Sequence, residues 1–373
     1  MPAGLALPGD RGHLDVLRVA LRPYNFGIPE HETHIRPLIA TSKGRFLQVR
    51  SDEPPPERVP PQLVPWWYML APSSSLRPGE ARRFEVGGEQ IVLFRGRESR
   101  TVRAIPAHCA HQGVDLSHGD VVGDRLRCPL HHWLYGDACE SIPGRAEVPA
   151  ELRRRQFSAA EKFGMIFVYL GANPPLPIPS FSGVDPETLF FVSGKPAFID
   201  CPWFVPVANA FDMAHLGSVH RRRLHCEPEI DRPDAMTFRI RYATSVTGDG
   251  WSDRAMRALS GDDIRNVVTC AGGSMVVVEA TVGTRRSFLI VSLRPVSGGV
   301  SLLPLVGVPR RPSGLHVIHA HLAKLLFIAF LRRDVRALQG IRFHPRFDDE
   351  RDATLDACYQ YLCDLPRFER EET

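Results

Sequence analysis

The sequence predicts an α+β protein in which a small all-β domain precedes a larger α+β domain with an antiparallel sheet and flanking helices. Three observations carry this. The 373 residues exceed the ~100 to 200 typical of one domain. Two proline-rich stretches, SDEPPPERVPPQLVP (51–65) and NPPLPIPS (173–180), punctuate the chain as extended linkers. Between them the pattern is one of short strands, and after them helical and strand patterns mix.

The elements follow in order. Residues 1–65 read as a leader and proline-rich linker with no assigned role. Residues 66–172 form the β domain: RFEVGGEQIVLFRG sets a Gly87-Gly88 turn between two β-prone runs, TVRAIPA follows, and GMIFVYLG closes it. Residues 173–373 form the second domain. There SMVVVEATVG and RRSFLIVSLRPVSGGVSLLPLVGV read as antiparallel strands with PVSGG as a hairpin turn. The run LAKLLFIAFL (322–331) reads as a buried helix. It contains Lys324 and is far shorter than the ~20 apolar residues of a bilayer span. No internal repeat or low-complexity tract interrupts this plan.

Charge and cysteine usage narrow the function classes. A net charge of +4 spread through the chain argues against a nucleic-acid partner. MPAGLALPGDRGHLD lacks a basic start followed by an apolar run, so a cytoplasmic location is expected. Of the eight cysteines, Cys109 and Cys128 lie beside histidines and read as metal ligands rather than disulfide partners.

Cys109-Ala-His111 and Cys128-Pro-Leu-His131 form CxH, sixteen residues, CxxH. Two centres use two thiolates and two imidazoles: a structural zinc site, and a Rieske [2Fe-2S] cluster, in which two cysteines hold one iron and two histidines the other. One cysteine and one histidine from each loop favours the cluster, since zinc fingers pair cysteine with cysteine. Spacing selects His131 over His132. The latter reads as a surface polar residue, Trp133 as a shield for the cluster, part of a subunit contact or a core residue, and His108 and His118 as solvated.

A second constellation begins at Asn209 and reads NAFDMAHLGSVH, with His215 and His220 five residues apart. Five steps at 100° turn a side chain by roughly 140°, so an ideal helix cannot aim both rings at one ion. An irregular helix with a π-type turn or a break is expected, eased by Gly217. Two histidines and a carboxylate are the ligands of mononuclear Fe(II) enzymes that activate O2. Leu326, Phe330, Asp334 and Leu338 recur every four residues on one apolar arc with Phe327 and Leu331. Asp334 would be costly there without a cation. The alternatives are an ion pair with Arg333 or Arg336 and a ligand role for Asp348 or Asp349. His316, His319 and His321 read as a polar helix start. Arg221, Arg222 and Arg223 read as a basic face, solvated or docking an acidic electron donor.

The surroundings HCAHQGVDLSHGDVVGDRLRCPLHHW, the DxxHxxxxH of Asp212, His215 and His220, and a distant aspartate together resemble the catalytic subunits of Rieske non-haem iron oxygenases. The resemblance covers roughly residues 66–360. NAFDMAHLGSVH with CPLHHW is most similar to the aminopyrrolnitrin oxygenase group of secondary metabolism, and more distantly to sterol and prodigiosin-type members. In that family many members carry glycine at the position of His132.

The resemblance implies a [2Fe-2S] cluster on Cys109, His111, Cys128 and His131 and a mononuclear Fe(II) on His215, His220 and Asp334. It also implies a homotrimer passing electrons between neighbours, with Asp212 bridging a cluster histidine and an iron-ligand histidine. Asn209 falls near the iron, although NxxD departs from the NxxxD of naphthalene-type dioxygenases. Electrons would come from NAD(P)H through a separate flavin reductase, with or without a ferredoxin, since this chain has no GxGxxG nucleotide fingerprint. The implied reaction is O2-dependent oxidation of a hydrophobic or aromatic small molecule by arylamine N-oxygenation or C–H hydroxylation. Oxidative cyclisation, demethylation, and an electron-transfer protein without its own catalysis are the alternatives.

Overall fold

The computed structural model describes residues 58–153, 155–260, 263–347 and 351–369. Residues 1–57 of the expected leader, and the rival ligands Asp348 and Asp349, lie outside the described residues.

Strand β1 (Trp67–Pro72) leads into the meander β2 (Ala81–Val86), β3 (Glu89–Arg95) and β4 (Val102–Pro106). Gly87 and Gly88, at φ 57 and 89, make the tight β2–β3 turn expected of them. Four short strands then form an antiparallel sheet in chain order: β5 (Asp120–Val122), β6 (Arg125–Arg127), β7 (Leu134–Tyr135) and β8 (Cys139–Ser141). The hairpin β9 (Phe157–Lys162) and β10 (Met165–Leu170) returns to pair with β1.

Two cores meet at β3. Alternate side chains of a strand point to opposite faces, so Val92 and Phe94 enter a small core with Leu116, Leu126, Trp133 and Tyr135. Ile91 and Leu93 enter a larger one with β1, β10 and the second half of the chain. Packing is continuous across residue 172: Ser274 Oγ donates to the Trp67 carbonyl at 2.8 Å, and Trp203 Nε1 donates to the Pro61 carbonyl at 3.1 Å.

The second half is a nine-stranded antiparallel sheet. Its strands are β11 (Leu189–Ser193), β12 (Ala197–Ile199), β13 (Arg222–Leu224), β14 (Glu229–Asp234), β15 (Thr237–Val246), β16 (Ile264–Ala271), β17 (Met275–Val282), β18 (Arg285–Val296) and β19 (Gly299–Pro309). The main order is β11-β19-β18-β17-β16-β15-β13, and the β18–β19 turn falls at Ser297-Gly298 as PVSGG predicts. Helices α1 (Val205–Asn209), α2 (Met213–Ser218), α3 (Trp251–Ser260), α4 (His316–Leu338) and α5 (Ala353–Cys363) complete the unit.

Helix α4 departs from the expectation of a buried helix. Only Ala320, Leu326 and Leu338 along it are buried, and Leu322 and Leu325 within LAKLLFIAFL are 41% and 50% exposed. The helix packs one face on β19 and β11 and leaves apolar side chains on the other.

Candidate metal centres

The two loops carrying CxH and CxxH are built alike. In the first, Cys109 N donates to the Val114 carbonyl and Gly113 N to the Cys109 carbonyl, both at 2.8 Å. In the second, Cys128 N donates to the Trp133 carbonyl at 2.8 Å and His132 N to the Cys128 carbonyl at 3.1 Å. The fifth residue of each turn is left-handed: Gly113 at φ 72 and His132 at φ 59. His132 thus occupies a backbone position that favours glycine, which sequence spacing alone did not reveal. Its side chain is exposed, as are His108 and His118.

Both thiols are buried, at 4% and 1% exposure, whereas His111 and His131 are exposed. Their Nδ1 atoms face each other at 3.0 Å. Two ring nitrogens so close repel through their lone pairs unless a proton or a cation is shared, and burial pushes the Cys109 thiol up. Buried sulfurs on one side and converging imidazoles on the other fit a cluster with one cysteine-held and one histidine-held iron. Trp133 lies flat on His111, centroids 4.8 Å apart and planes 8° apart, as a shield would. Tyr135 is an addition to the expected residues. Its hydroxyl accepts from Ala110 N at 3.2 Å and sits 3.1 Å from Cys109 Sγ, so its proton faces the sulfur. The signal was its place two residues after Trp133, the spacing of one face of an extended chain.

Around the second constellation the helix breaks as the spacing demands. α1 stops at Asn209, and Asp212, in an extended conformation, caps α2 by accepting the His215 amide on Oδ1 at 3.1 Å. At the other end Val219 N donates to the His215 carbonyl at 2.8 Å and His220 N reaches the same oxygen at 3.4 Å, a π-type i→i+5 closure. The expected contribution of Gly217 is absent: it is an ordinary helical residue, and a Cβ there would meet only the Arg222 carbonyl at 3.9 Å. The chain reverses instead at Arg221, φ 53.

These breaks bring His215, His220 and Asp334 together, with one candidate ligand atom from each lying within 4.8 Å of the others. Asp334 Oδ1 is 2.7 Å from His220 Nε2 and 3.6 Å from His215 Nε2. Asn209 Nδ2 lies 3.3 Å from the same oxygen and 3.4 Å from His215 Nε2. His215 Nδ1 bonds the Asp212 backbone carbonyl, so its Nε2 carries the lone pair facing Asp334. The Asp212 carboxylate is therefore a cap within this chain, with Oδ2 4.0 Å from His215 Nδ1. His220 is fully buried, stacked on Phe330 at 3.5 Å, and burial pushes its pKa down, favouring the neutral ring that binds metals. Two imidazoles and one carboxylate within reach of a common point fit a divalent iron.

Neither arginine alternative for Asp334 holds: Arg336 is exposed, and Arg333 turns to Asp253. Arg222 also leaves the expected basic face, its side chain 8% exposed and bound to Asp253 at 3.3 Å. Burial alone would raise the Asp253 carboxyl, but Arg333 and Arg222 outweigh it and hold it below its ordinary value. Arg333 Nη1 donates to the His220 carbonyl at 3.2 Å, tying this buried network to the metal-site backbone. Nothing local in the sequence marked Asp253, because its partners lie 31 and 80 residues away.

Asn209, His215 and Asp334 face a cavity of about 410 Å³ whose walls are largely apolar, among them Val276, Val278, Leu289, Val291 and Leu302. SMVVVEATV and SFLIVSL do line it, as expected. Tyr242 also faces the cavity, its phenol pushed up by burial and then by Asp334. Of the amino-terminal histidines of α4, only His319 reaches the cavity wall.

Residues 66–153 match the Rieske [2Fe-2S] domain. Over 171 residues, 44% of this chain and 40% of the relative, the sequence is 29% identical to cholesterol 7-desaturase nvd of Drosophila melanogaster. Over 172 residues, 43% of this chain and 46% of the relative, it is 30% identical to aminopyrrolnitrin oxygenase PrnD of Pseudomonas fluorescens. The matches thus span less than half the length of these relatives. Dicamba monooxygenase bound to dicamba shares the fold, with a TM-score of 0.61 and 20% identity over 80% of this chain and 97% of that one. The chain therefore carries a Rieske [2Fe-2S] domain over residues 66–153, and its fold is that of dicamba monooxygenase.

Proposed function

We propose that this protein is the terminal oxygenase of a Rieske system, oxidising a hydrophobic, ring-bearing small molecule with O2 and electrons delivered from NAD(P)H by a separate reductase. The observation that carries the reading is the convergence of His215, His220 and Asp334 beside an apolar cavity that His215 and Asp334 line, in a chain that also holds a Rieske domain. An electron carrier has no use for this second centre. Arylamine N-oxygenation and C–H hydroxylation are the favoured reactions; one similar protein is named an aminopyrrolnitrin oxygenase.

Cys109, Cys128, His111 and His131 would hold the cluster, and His215, His220 and Asp334 the Fe(II). When bound, the two centres supply single-electron delivery and O2 activation. The rest is done by this chain. The Asp212 carbonyl fixes the His215 tautomer. The Asn209 amide donates to Asp334 Oδ1 and holds that oxygen toward the histidines. Phe330 fixes the plane of His220, and the apolar walls exclude water from around the substrate. Tyr135, donating toward Cys109, would raise the cluster potential. Because His111 and His131 are exposed at the surface of this chain, electron exit to a neighbouring subunit of a homotrimer is part of the proposal, with Asp212 as the receiving side.

The test is iron analysis, EPR of the reduced protein, and turnover of aromatic amines and fused-ring or steroid substrates under labelled O2. The wild type should hold about three irons per chain and His215→Ala or Asp334→Ala about two, with the cluster signal kept and turnover lost. Full turnover in both variants, or a colourless zinc-loaded wild type, defeats the reading.

A further inference from the structure

The unpartnered face of α4 is not a scatter of apolar residues. Leu315, just before the helix, and Ile318, Leu322 and Leu325 within it are spaced three, four and three residues apart and are 47%, 65%, 41% and 50% exposed, with Val317 beside them at 40%. That spacing places them along one stripe. The stripe reaches the cavity: Leu322 is both a lining residue and exposed, as are Thr284, Arg285, Arg286 and Arg311, so these residues mark the mouth.

The exposed charge lining this mouth has one sign. From Ala280 to Arg333 there is no aspartate or glutamate, while Arg285, Arg286, Arg310, Arg311, Lys324 and Arg332 all fall in this span. Among the described residues Arg285, Arg311, Lys324 and Arg332 have no ion-pair partner, and Arg286 is paired only with Glu279 at 3.4 Å. The other acids on or beside elements packed against α4 are Asp185 and Glu187 ahead of β11, Asp200 after β12, Asp253 on α3 and Asp334 on α4 itself. Asp253 and Asp334 lie inside the cavity, Asp253 bound by Arg222 and Arg333, and Asp185 already accepts the Glu187 amide at 3.0 Å. A second copy of this same basic stripe would repel it. An anionic surface with an apolar layer beneath is complementary to both properties.

We propose that this rim docks the protein peripherally on an anionic phospholipid bilayer, with Leu315, Ile318, Leu322 and Leu325 in the headgroup boundary and the arginines on lipid phosphates. The cavity mouth then opens onto the lipid, so that an apolar substrate partitioned in the bilayer enters without crossing water. The docking is independent of the iron assignments; only the passage of substrate rests on the oxygenase reading.

The experiment is co-sedimentation of the full chain with vesicles of phosphatidylcholine carrying about one quarter phosphatidylglycerol, and with phosphatidylcholine alone. The protein should pellet with the anionic vesicles at low salt and be released by high salt. Ile318→Asp and Leu325→Asp should each lower binding about tenfold, and Arg311→Glu about fivefold or more. Unchanged thermal unfolding would show that these exposed substitutions leave the fold intact. A wild type that stays in the supernatant, or apolar-stripe variants that bind as well as wild type, overturns the proposal. So does a fall in oligomer mass of Ile318→Asp in sedimentation velocity, which would make the stripe a subunit contact. Because vesicle binding is read without turnover, its failure and failure of the oxygenase reading are separate results.

Discussion

Removing the Asp253 carboxylate tests whether the buried charges behind the metal site act as a structural clamp. The side chain is 2% exposed and accepts Arg333 Nη2 on Oδ2 at 3.0 Å and Arg222 Nη1 on Oδ1 at 3.3 Å. Asp253→Ala leaves two guanidiniums, 8% and 27% exposed, facing a vacated position with no counter-charge. Breaking a buried pair costs about 3 to 5 kcal/mol. The partial exposure of Arg333 puts the expected loss near the lower end, about 3 kcal/mol, or roughly 4 °C in Tm for a chain of this size. Arg222→Met added to Asp253→Ala should recover part of the loss by removing one orphaned charge, which a double-mutant cycle on urea midpoints would read.

The metal site should feel the same change, because Arg333 also holds the His220 carbonyl at 3.2 Å. Co(II) binding to the metal-free mononuclear site, followed by its visible absorbance, should weaken by about tenfold. The pH dependence has a fixed sign. The Asp253 carboxyl is depressed below its ordinary 3.8, so its contribution is fully present above that value and is lost as pH falls through the lower folded value. An Asp253→Ala protein within about 1 kcal/mol of wild type, with unchanged Co(II) affinity, would refute the clamp.

Two further outcomes follow from the cluster loops. His132→Gly should stabilise the Rieske domain by about 0.5 to 1 kcal/mol, since relief of a left-handed non-glycine residue, about 1 to 2 kcal/mol, exceeds the entropy cost of glycine. His132→Ala should gain nothing, and equal melting temperatures for the two variants would dismiss strain at this position. At Asp115, burial alone would raise the carboxyl, but the Ser117 hydroxyl and amide and Arg83 outweigh it and hold it at about 2. With the side chain 20% exposed, the gain after solvent screening is about 1 to 2 kcal/mol, present above 3.8 and lost as pH falls toward 2. Asp115→Asn should therefore flatten the acid limb of stability, and an unchanged limb would assign the acid sensitivity elsewhere.

What the sequence disclosed was local. Turn glycines at 87 and 88, the CxH and CxxH spacing, and the four-residue recurrence that set Asp334 on an apolar arc are all contained within one element or one turn. The five-residue separation of His215 and His220 was enough to demand a break in the helix, because an ideal helix forbids the geometry. What it concealed was long-range. Arg222 sits in a run of three arginines and looks like surface, and only the return of α3 brings Asp253 to it. LAKLLFIAFL looks buried by composition, yet burial depends on how much sheet lies beneath the helix, and β19 and β11 cover only one side.

The left-handed residues join these two kinds of information. Among the described residues four non-glycines have positive φ: Arg100, His132, Phe163 and Arg221. Arg100 and Phe163 lie in the β3–β4 and β9–β10 hairpin connections, where such a conformation fits the twist of the strands. His132 and Arg221 directly follow His131 and His220, the last histidine of each constellation. Each is pinned by backbone bonds: His132 N to the Cys128 carbonyl at 3.1 Å, and the Arg221 carbonyl accepting from Thr247 N at 2.9 Å. A left-handed residue reverses the chain in one step, so the preceding histidine ends its turn facing its partner histidine while the chain leaves. Strain of about 1 to 2 kcal/mol at each persists because the surrounding hydrogen bonds over-determine the turn. Its placement after both histidines, and not merely at hairpins, is what two sites requiring fixed imidazoles would demand.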